Sequence, residues 1–224
     1  MGAFQNASIL LGRPVLEVAQ EYGYSDSNLL LLAGQDMKLC RDYPAVYENI
    51  QTCAHCADDR TLMDYARDLT ASWVVEDWFL RLLMDAGCEI SAAGADRSRE
   101  LLSGCQVGAT SDFQVQYQGK SLRVEFLCDY TGFWRRTGMI DLRDGKYQHL
   151  RKERAFAFGA DALWQRGILL DMSEDIPGII RVPSYKPYGG KPAVRVPCQE
   201  EEFFALEANR LAERFQAKFL AASA

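Results

Sequence analysis

Residues 111–128 read SDFQVQYQGKSLRVEFLC, and the alternation within them decides the fold. Phe113, Val115 and Tyr117 alternate with Asp112, Gln114 and Gln116, while Leu122, Val124 and Phe126 alternate with Arg123, Glu125 and Leu127. This is the period of two half-buried strands. With Gln118-Gly119 as a two-residue turn, Tyr117 pairs with Lys120, Phe113 with Val124 and Asp112 with Glu125, so the apolar faces coincide. A one-residue shift would set polar residues against apolar ones. The favoured register therefore puts two carboxylates on one rung. Like charges placed so cost ~0.2–1 kcal/mol, which a metal ion, a shared proton or solvent at a strand end would offset.

The rest of the chain bounds what such a pair can do. Its 224 residues suffice for one main α/β core with smaller attachments at either end. Hydrophobic content of 48% and charged content of 25% are those of a globular protein. No run approaches a membrane span, and the start, MGAFQNASILLGRPV, lacks the layout of a signal peptide. Seven scattered cysteines fit thiols in a reducing compartment, so a cytoplasmic location without membrane attachment is expected. The net charge of −6 argues against coating nucleic acid by bulk charge. Local balance differs: residues 120–154 hold nine Lys/Arg against five Asp/Glu, and residues 181–195 hold four against none. Basic segments flanking an acid pair suit an anionic substrate, although solvated surface helices also carry such charges.

Residues 14–33 are expected to form a helical hairpin turning at Gly23, with the second helix capped by Ser25 or Asp26. The run VAQEYGYSDSNLL is similar to the helix-turn-helix of some transcription regulators, but Leu29 to Leu32 leave little to read base edges, and packing on the core is the preferred reading. Cys53-Ala54-His55-Cys56, with Cys40, offers a partial zinc set: Cys40, Cys53 and Cys56, with His55 as a further ligand. Residues 61–86 form the best-defined helix, stopped at Gly87, with an apolar stripe that Glu76 interrupts. A carboxylate there either sits at the core's rim beside a cation or holds something positive. Cys88 to Ser91 is a short strand. In the expected loop DYTGFWRRTGMIDLRDG, Trp134 offers a stacking face and Arg135 and Arg136 are phosphate-type donors, although the cluster reads equally as an ordinary loop pinned by Trp134. A helix is expected over 142–158 and a buried strand over 167–172. Residues 177–197 read as a loop or lid whose Lys186 and Lys191 suit a nucleic-acid strand, and residues 199–221 as an amphipathic helix with Phe204, Leu211, Phe215 and Phe219 inward.

Helix, strand, hairpin, helix, strand gives αβββαβ around the acid pair. In this order the chain resembles the PD-(D/E)XK nuclease superfamily over roughly residues 61–172. The resemblance implies a restriction-endonuclease-like α/β core with a mixed central sheet over 61–175, a helical N-terminal extension over 1–60, and a loop and C-terminal helix over 176–224. It also implies a Mg²⁺ site, with Mn²⁺ as a substitute, held by Asp112, Glu125 and the helix acid Glu76. The expected activity is hydrolysis of DNA phosphodiesters by directly attacking water, with RNA a further substrate class. Ser111 replaces the family's proline, and Leu127 stands where its lysine would be. Lys146, near the start of the next helix, is the expected replacement, ahead of Lys152. The catalytic set is then Asp112, Glu125 and Lys146, and the nucleic-acid set Trp134, Arg135, Arg136, Lys152, Lys186 and Lys191. A homodimer would be the simplest way to cut both strands. The alternatives are a non-catalytic DNA-binding or assembly protein with the same fold, and a zinc-containing interaction module.

Overall fold

The computed structural model describes residues 3–53, 60–92, 99–101 and 113–221. The chain divides into two compact units, one of residues 1–79 with 96–108, the other of residues 80–95 with 109–224. The first takes in most of the long helix that the resemblance assigned to the core. Among the described residues no helix is long and apolar enough to cross a membrane.

The first unit is helical: α1 (Ala3–Leu11), α2 (Val15–Glu21), α3 (Asp26–Leu32), α4 (Asp36–Asp42), α5 (Pro44–Gln51) and α6 (Leu62–Asp85) as far as Phe79. Gly23, at φ +75°, makes the α2–α3 turn, and the Ser25 hydroxyl accepts from the Asn28 amide to cap α3. Ser27 and Asn28 are both buried, and the Asn28 side chain donates to the Arg99 carbonyl at 2.8 Å. The start of α3 thus spends its polar groups internally rather than on a base-reading face. Leu31, Leu39, Ile50, Ala66 and Trp73 form the core, which Cys53 joins.

The second unit is a mixed α/β fold. Its strands are β1 (Glu89–Ala92), β2 (Phe113–Tyr117), β3 (Lys120–Asp129), β4 (Met139–Arg143), β5 (Phe156–Asp161), β6 (Arg166–Asp171), β7 (Ile180–Tyr185), β8 (Lys191–Pro197) and β9 (Phe204–Ala205); its further helices are α7 (Phe133–Thr137), α8 (Asp144–Glu153) and α9 (Ala208–Ala221). One six-stranded sheet runs β1-β2-β3-β5-β6-β9. β1, β2 and β3 are an antiparallel meander, β5 joins β3 in parallel, and β6 and β9 continue antiparallel. The hairpin has the expected register, from Phe113–Val124 to Tyr117–Lys120. Gln118 and Gly119, at φ +50° and +78°, supply the two left-handed residues that such a turn needs. Asp112 lies outside the described residues.

Three expectations along the chain fail in instructive ways. The helix expected over 142–158 is strand β4 to Arg143, helix α8, then strand β5: Arg154 in the left-handed region ends α8, and buried Phe156 and Phe158 belong to the sheet. The segment expected as a loop over 177–197 is strands β7 and β8; β8 pairs with β7 on one side and β4 on the other in a second sheet, order β4-β8-β7. Pro183 is compatible with β7 because that strand lies on the edge, with a bulge between Val182 and Tyr185. The C-terminal helix begins only at Ala208, and Phe204 sits in β9, opposite Gly167.

Alternation divides the large sheet. On one face Phe126 stacks on Phe158 at 6.1 Å, Phe158 meets Phe204 edge-on, and Arg214 of α9 covers the Phe204 ring. The other face carries Glu125, Leu127 and Asp129, beside a core formed with α8 and the second sheet: Trp134, Ile140, Leu142, Tyr147, Leu150 and Val194. Gly159 makes this packing feasible, since a Cβ there would lie 2.9 Å from the Trp134 ring and 2.8 Å from Ile168.

Candidate active site on the mixed sheet

Glu125 sits mid-strand in β3, opposite Ala157 of β5, and is 6% exposed. Burying a carboxylate in a sheet is costly without a positive partner. That partner is Lys146, from the first turn of α8, whose Nζ lies 2.8 Å from Glu125 Oε2. The contact is an ion pair by distance, without the alignment of a directed hydrogen bond. A second tether runs between the same elements: Arg123 of β3 donates to Glu153 of α8 at 2.8 Å. Arg123 and Glu125 share a face of β3, so the two pairs set both the position and the direction of α8.

The remaining expected residues are placed as follows. Asp112 and Cys56 lie outside the described residues, as does His55. Glu76 belongs to the first unit, where Arg99 Nη1 donates to its Oε2 at 2.8 Å and Arg99 Nη2 to Asp77 at 2.6 Å. Burial lowers the Arg99 pKa, but Glu76 and Asp77 outweigh it and hold the guanidinium firmly charged. Lys152, Lys186 and Lys191 are exposed, as are Arg135 and Arg136. Cys53 is buried in the helical core, whereas Cys40 is exposed.

Trp134 requires a correction. It is 6% exposed, with one edge of its ring against Gly159, so it is packed into the fold, where it also lines a cleft beside β3, and is not the surface stacking face expected. The exposed ring in this region is Trp164, 51% exposed, with the Arg135 guanidinium 4.0 Å above it. Sequence reasoning passed over Trp164 because its turn, between two strands, carries no basic residues until Arg166.

Reasoning from the sequence also missed a polar cluster around Asp141 of β4. Arg195 Nε donates to its Oδ1 at 2.9 Å, the Tyr185 hydroxyl donates to its Oδ2, and the Tyr188 hydroxyl donates to its carbonyl at 2.7 Å. Burial, then Asp141 and Tyr185, push the Tyr188 pKa up to about 12. The signal was present as alternation, Ile140 and Leu142 flanking Asp141, but it lay in the glycine-rich segment 129–145 expected as a loop, which the structure instead forms into α7 and strand β4. Beside this cluster is a cleft of about 420 Å³, walled by Leu127 and Asp129 of β3, Phe133, Asp141, Tyr185 and Tyr188 among others.

The donor chemistry fits Mg²⁺ in kind, since Glu125 is a hard oxygen ligand. Among the described residues no group of three or more His, Cys, Asp or Glu side chains is placed to hold a metal ion. A carboxylate set for the ion would thus need Asp112 beside Glu125. No known protein family, characterised protein or solved structure matches the chain.

Proposed function

We propose that the chain is a metal-dependent phosphodiesterase of the restriction-endonuclease-like type, acting on DNA, with Glu125, Lys146 and Asp112 as its catalytic set. The observation that carries this reading is the pairing of Glu125 with Lys146. The lysine missing from position 127 has a substitute from the next helix, and its ammonium lies at the strand acid. Strand order adds support: an antiparallel meander β1-β2-β3 with β5 parallel to β3, preceded by α6 and linked through α8, is the αβββαβ order that the resemblance implies.

In this reading Asp112 and Glu125 hold Mg²⁺, which when bound supplies an acidified water and offsets charge on the scissile phosphate. Lys146 donates hydrogen bonds to the attacking water or to a phosphate oxygen as negative charge grows there. Glu125 holds that ammonium at the site, because a buried carboxylate and its cation keep one another in place. Glu76 is left out of the metal set on account of its bond to Arg99. The exposed Arg135 and Arg136 suit phosphates flanking the site.

The test is cleavage of plasmid and single-stranded DNA with Mg²⁺ or Mn²⁺ by the full chain and by Asp112→Ala, Glu125→Ala and Lys146→Ala. Mutants as active as the parent would sink the site. One observation favours a second reading, a DNA-binding protein without catalysis: an ion pair between β3 and α8 also serves simply to dock the helix. Lack of cleavage on every DNA form, with DNA binding retained, would support it.

A further inference from the structure

We propose that the cleft between β3, β4 and the β7–β8 turn is a pocket for one nucleobase, and that it prefers bases bearing an amino group. This rests on the reading of the chain as a nucleic-acid enzyme. The cleft's volume, about 420 Å³, falls among small-ligand pockets of ~300–1,000 Å³, with room for a base and its sugar. Its wall is mainly apolar and aromatic, from Leu127, Phe133, Tyr185 and Tyr188, and a base turned out of a strand needs such ring faces.

Charge favours a neutral occupant. An anion would meet the Asp129 carboxylate in the wall and find Arg195 already spent on Asp141. A cation would meet competition, because Arg195 already neutralises Asp141 and lies 5.9 Å over the Phe133 ring, while Arg143 lies 5.6 Å over Tyr188. A neutral planar ring suffers from neither. The hydroxyls of Tyr185 and Tyr188 both give their protons to Asp141, so the oxygens offer lone pairs to a ligand. Acceptors of this kind match the exocyclic amino groups of adenine or cytosine and repel the carbonyl that thymine carries instead.

The pocket is also placed to serve the acid. Leu127 and Asp129 share a face of β3 with Glu125, two and four residues along, which is ~7 and ~13 Å at the strand rise. The base of a nucleotide close to the scissile phosphate comes within reach over such distances. The Tyr185–Tyr188 edge contact, at 5.3 Å, and the left-handed Gly189 and Gly190 fix the β7–β8 turn, so the wall stands ready before a ligand arrives.

Equilibrium binding of labelled single-stranded oligo(dA), oligo(dC) and oligo(dT) to the full chain, with Ca²⁺ in place of Mg²⁺ to prevent cleavage, tests the pocket. Expected are dA and dC binding about tenfold tighter than dT, and a fall of about tenfold for dA in Tyr188→Ala. Tyr188→Phe should keep most of the affinity and lose part of the preference, and Phe133→Leu should weaken dA without unfolding the chain. Equal binding of all three strands by the parent, unchanged in Tyr188→Ala and Phe133→Leu, would overturn the proposal. Competition by dAMP separates the sources of the base: full competition points to a free nucleotide, and competition at least about a hundredfold weaker than by the strand points to a base presented by the polymer. Selective binding without cleavage would remove the nuclease reading and leave the pocket; cleavage without base preference would do the reverse.

Discussion

Two carboxylates on one face of β3, four residues apart, are held in opposite ways. Asp129 ends the strand and is consumed by the turn that follows: it accepts from the Thr131 amide at 2.8 Å, the Thr131 hydroxyl at 2.9 Å and the Trp134 amide at 2.8 Å. Asp161 and Asp171 end β5 and β6 in the same manner, accepting from the amides of Leu163 and Trp164 and of Ser173 respectively. Glu125 has no turn to close. Its backbone neighbours are occupied in the β ladder, and its charge partner comes from a helix distant in sequence. Burial alone therefore does not single out a working acid, since Asp129 is as buried as Glu125. What distinguishes them is the partner: turn amides and a hydroxyl for Asp129, a helix ammonium for Glu125.

The sharpest way to break this contrast is Glu125→Gln, which keeps size and hydrogen-bonding capacity while removing the charge. Metal-dependent cleavage should fall by ~10²–10³-fold, the scale for losing one charge-stabilising group of a preorganised site. Initial rates on plasmid DNA measure it, and a rate within error of the parent would place Glu125 with the structural acids. Lys146→Met should lower the rate by about 10²-fold and cost about 3 kcal/mol of stability, because buried Glu125 loses the Lys146 ammonium. The double replacement Glu125→Leu/Lys146→Leu should recover most of that stability in urea unfolding while remaining inactive. Recovery of stability together with activity would mean that the pair only docks α8.

Asp129→Ala inverts the pattern. The Trp134 amide would be left buried and unsatisfied, at about 2 kcal/mol, with the cleavage rate at low temperature little changed. A lower unfolding midpoint in urea checks the first part, and a rate loss as large as that of Glu125→Gln would erase the distinction. Asp161 extends the comparison to pH. It is fully buried, and its Oδ2 finds no hydrogen-bond partner among the described residues. Burial, with Asp129 alongside, raises its pKa above the ordinary carboxylate value. The unfolded chain then ionises at lower pH than the folded one, so stability from this group is complete below the ordinary carboxylate pKa and is lost as pH rises through the folded one. Asp161→Asn, which keeps an acceptor for the Leu163 and Trp164 amides, should flatten that decline relative to the parent when unfolding midpoints are followed upward from pH 4.

How much of this was legible in the sequence follows from the range of the forces involved. The hairpin register was readable because alternation and a two-residue turn are local, and Phe113–Val124 pairs as the pattern requires. Lys146 was readable as a candidate because the only thing needed was a cation near the start of the helix after the hairpin. The second sheet was not. β4 and β7 meet across β8 through pairing over long sequence separation, and Pro183, Pro192 and the Gly189-Gly190 turn hide the β-branched residues between them. The Asp141 cluster went unseen for the same reason, as its partners lie on β8 and on the β7–β8 turn. Trp134 could not be decided from the sequence, because a tryptophan beside two arginines reads alike whether its ring stacks on a ligand or pins its loop over a glycine of the next parallel strand; Gly159 decides for the second.

The smallest effect is expected at Glu76, and it tests the rule from outside the sheet. A helix acid that breaks an apolar stripe is, by pattern, as good a metal ligand as Glu125 is by register. Yet Arg99 donates to Glu76 and Asp77 together, and the Tyr24 hydroxyl donates to Asp77, so the charge of Glu76 is spent within a network of the helical unit. Glu76→Gln should change the cleavage rate by less than about threefold and cost about 1 kcal/mol, the scale of a charge-assisted bond reduced to a neutral one. Rates measured across a Mg²⁺ titration are the discriminating readout: an unaltered dependence fits the ion pair, and a shift to higher Mg²⁺ would return Glu76 to the metal set.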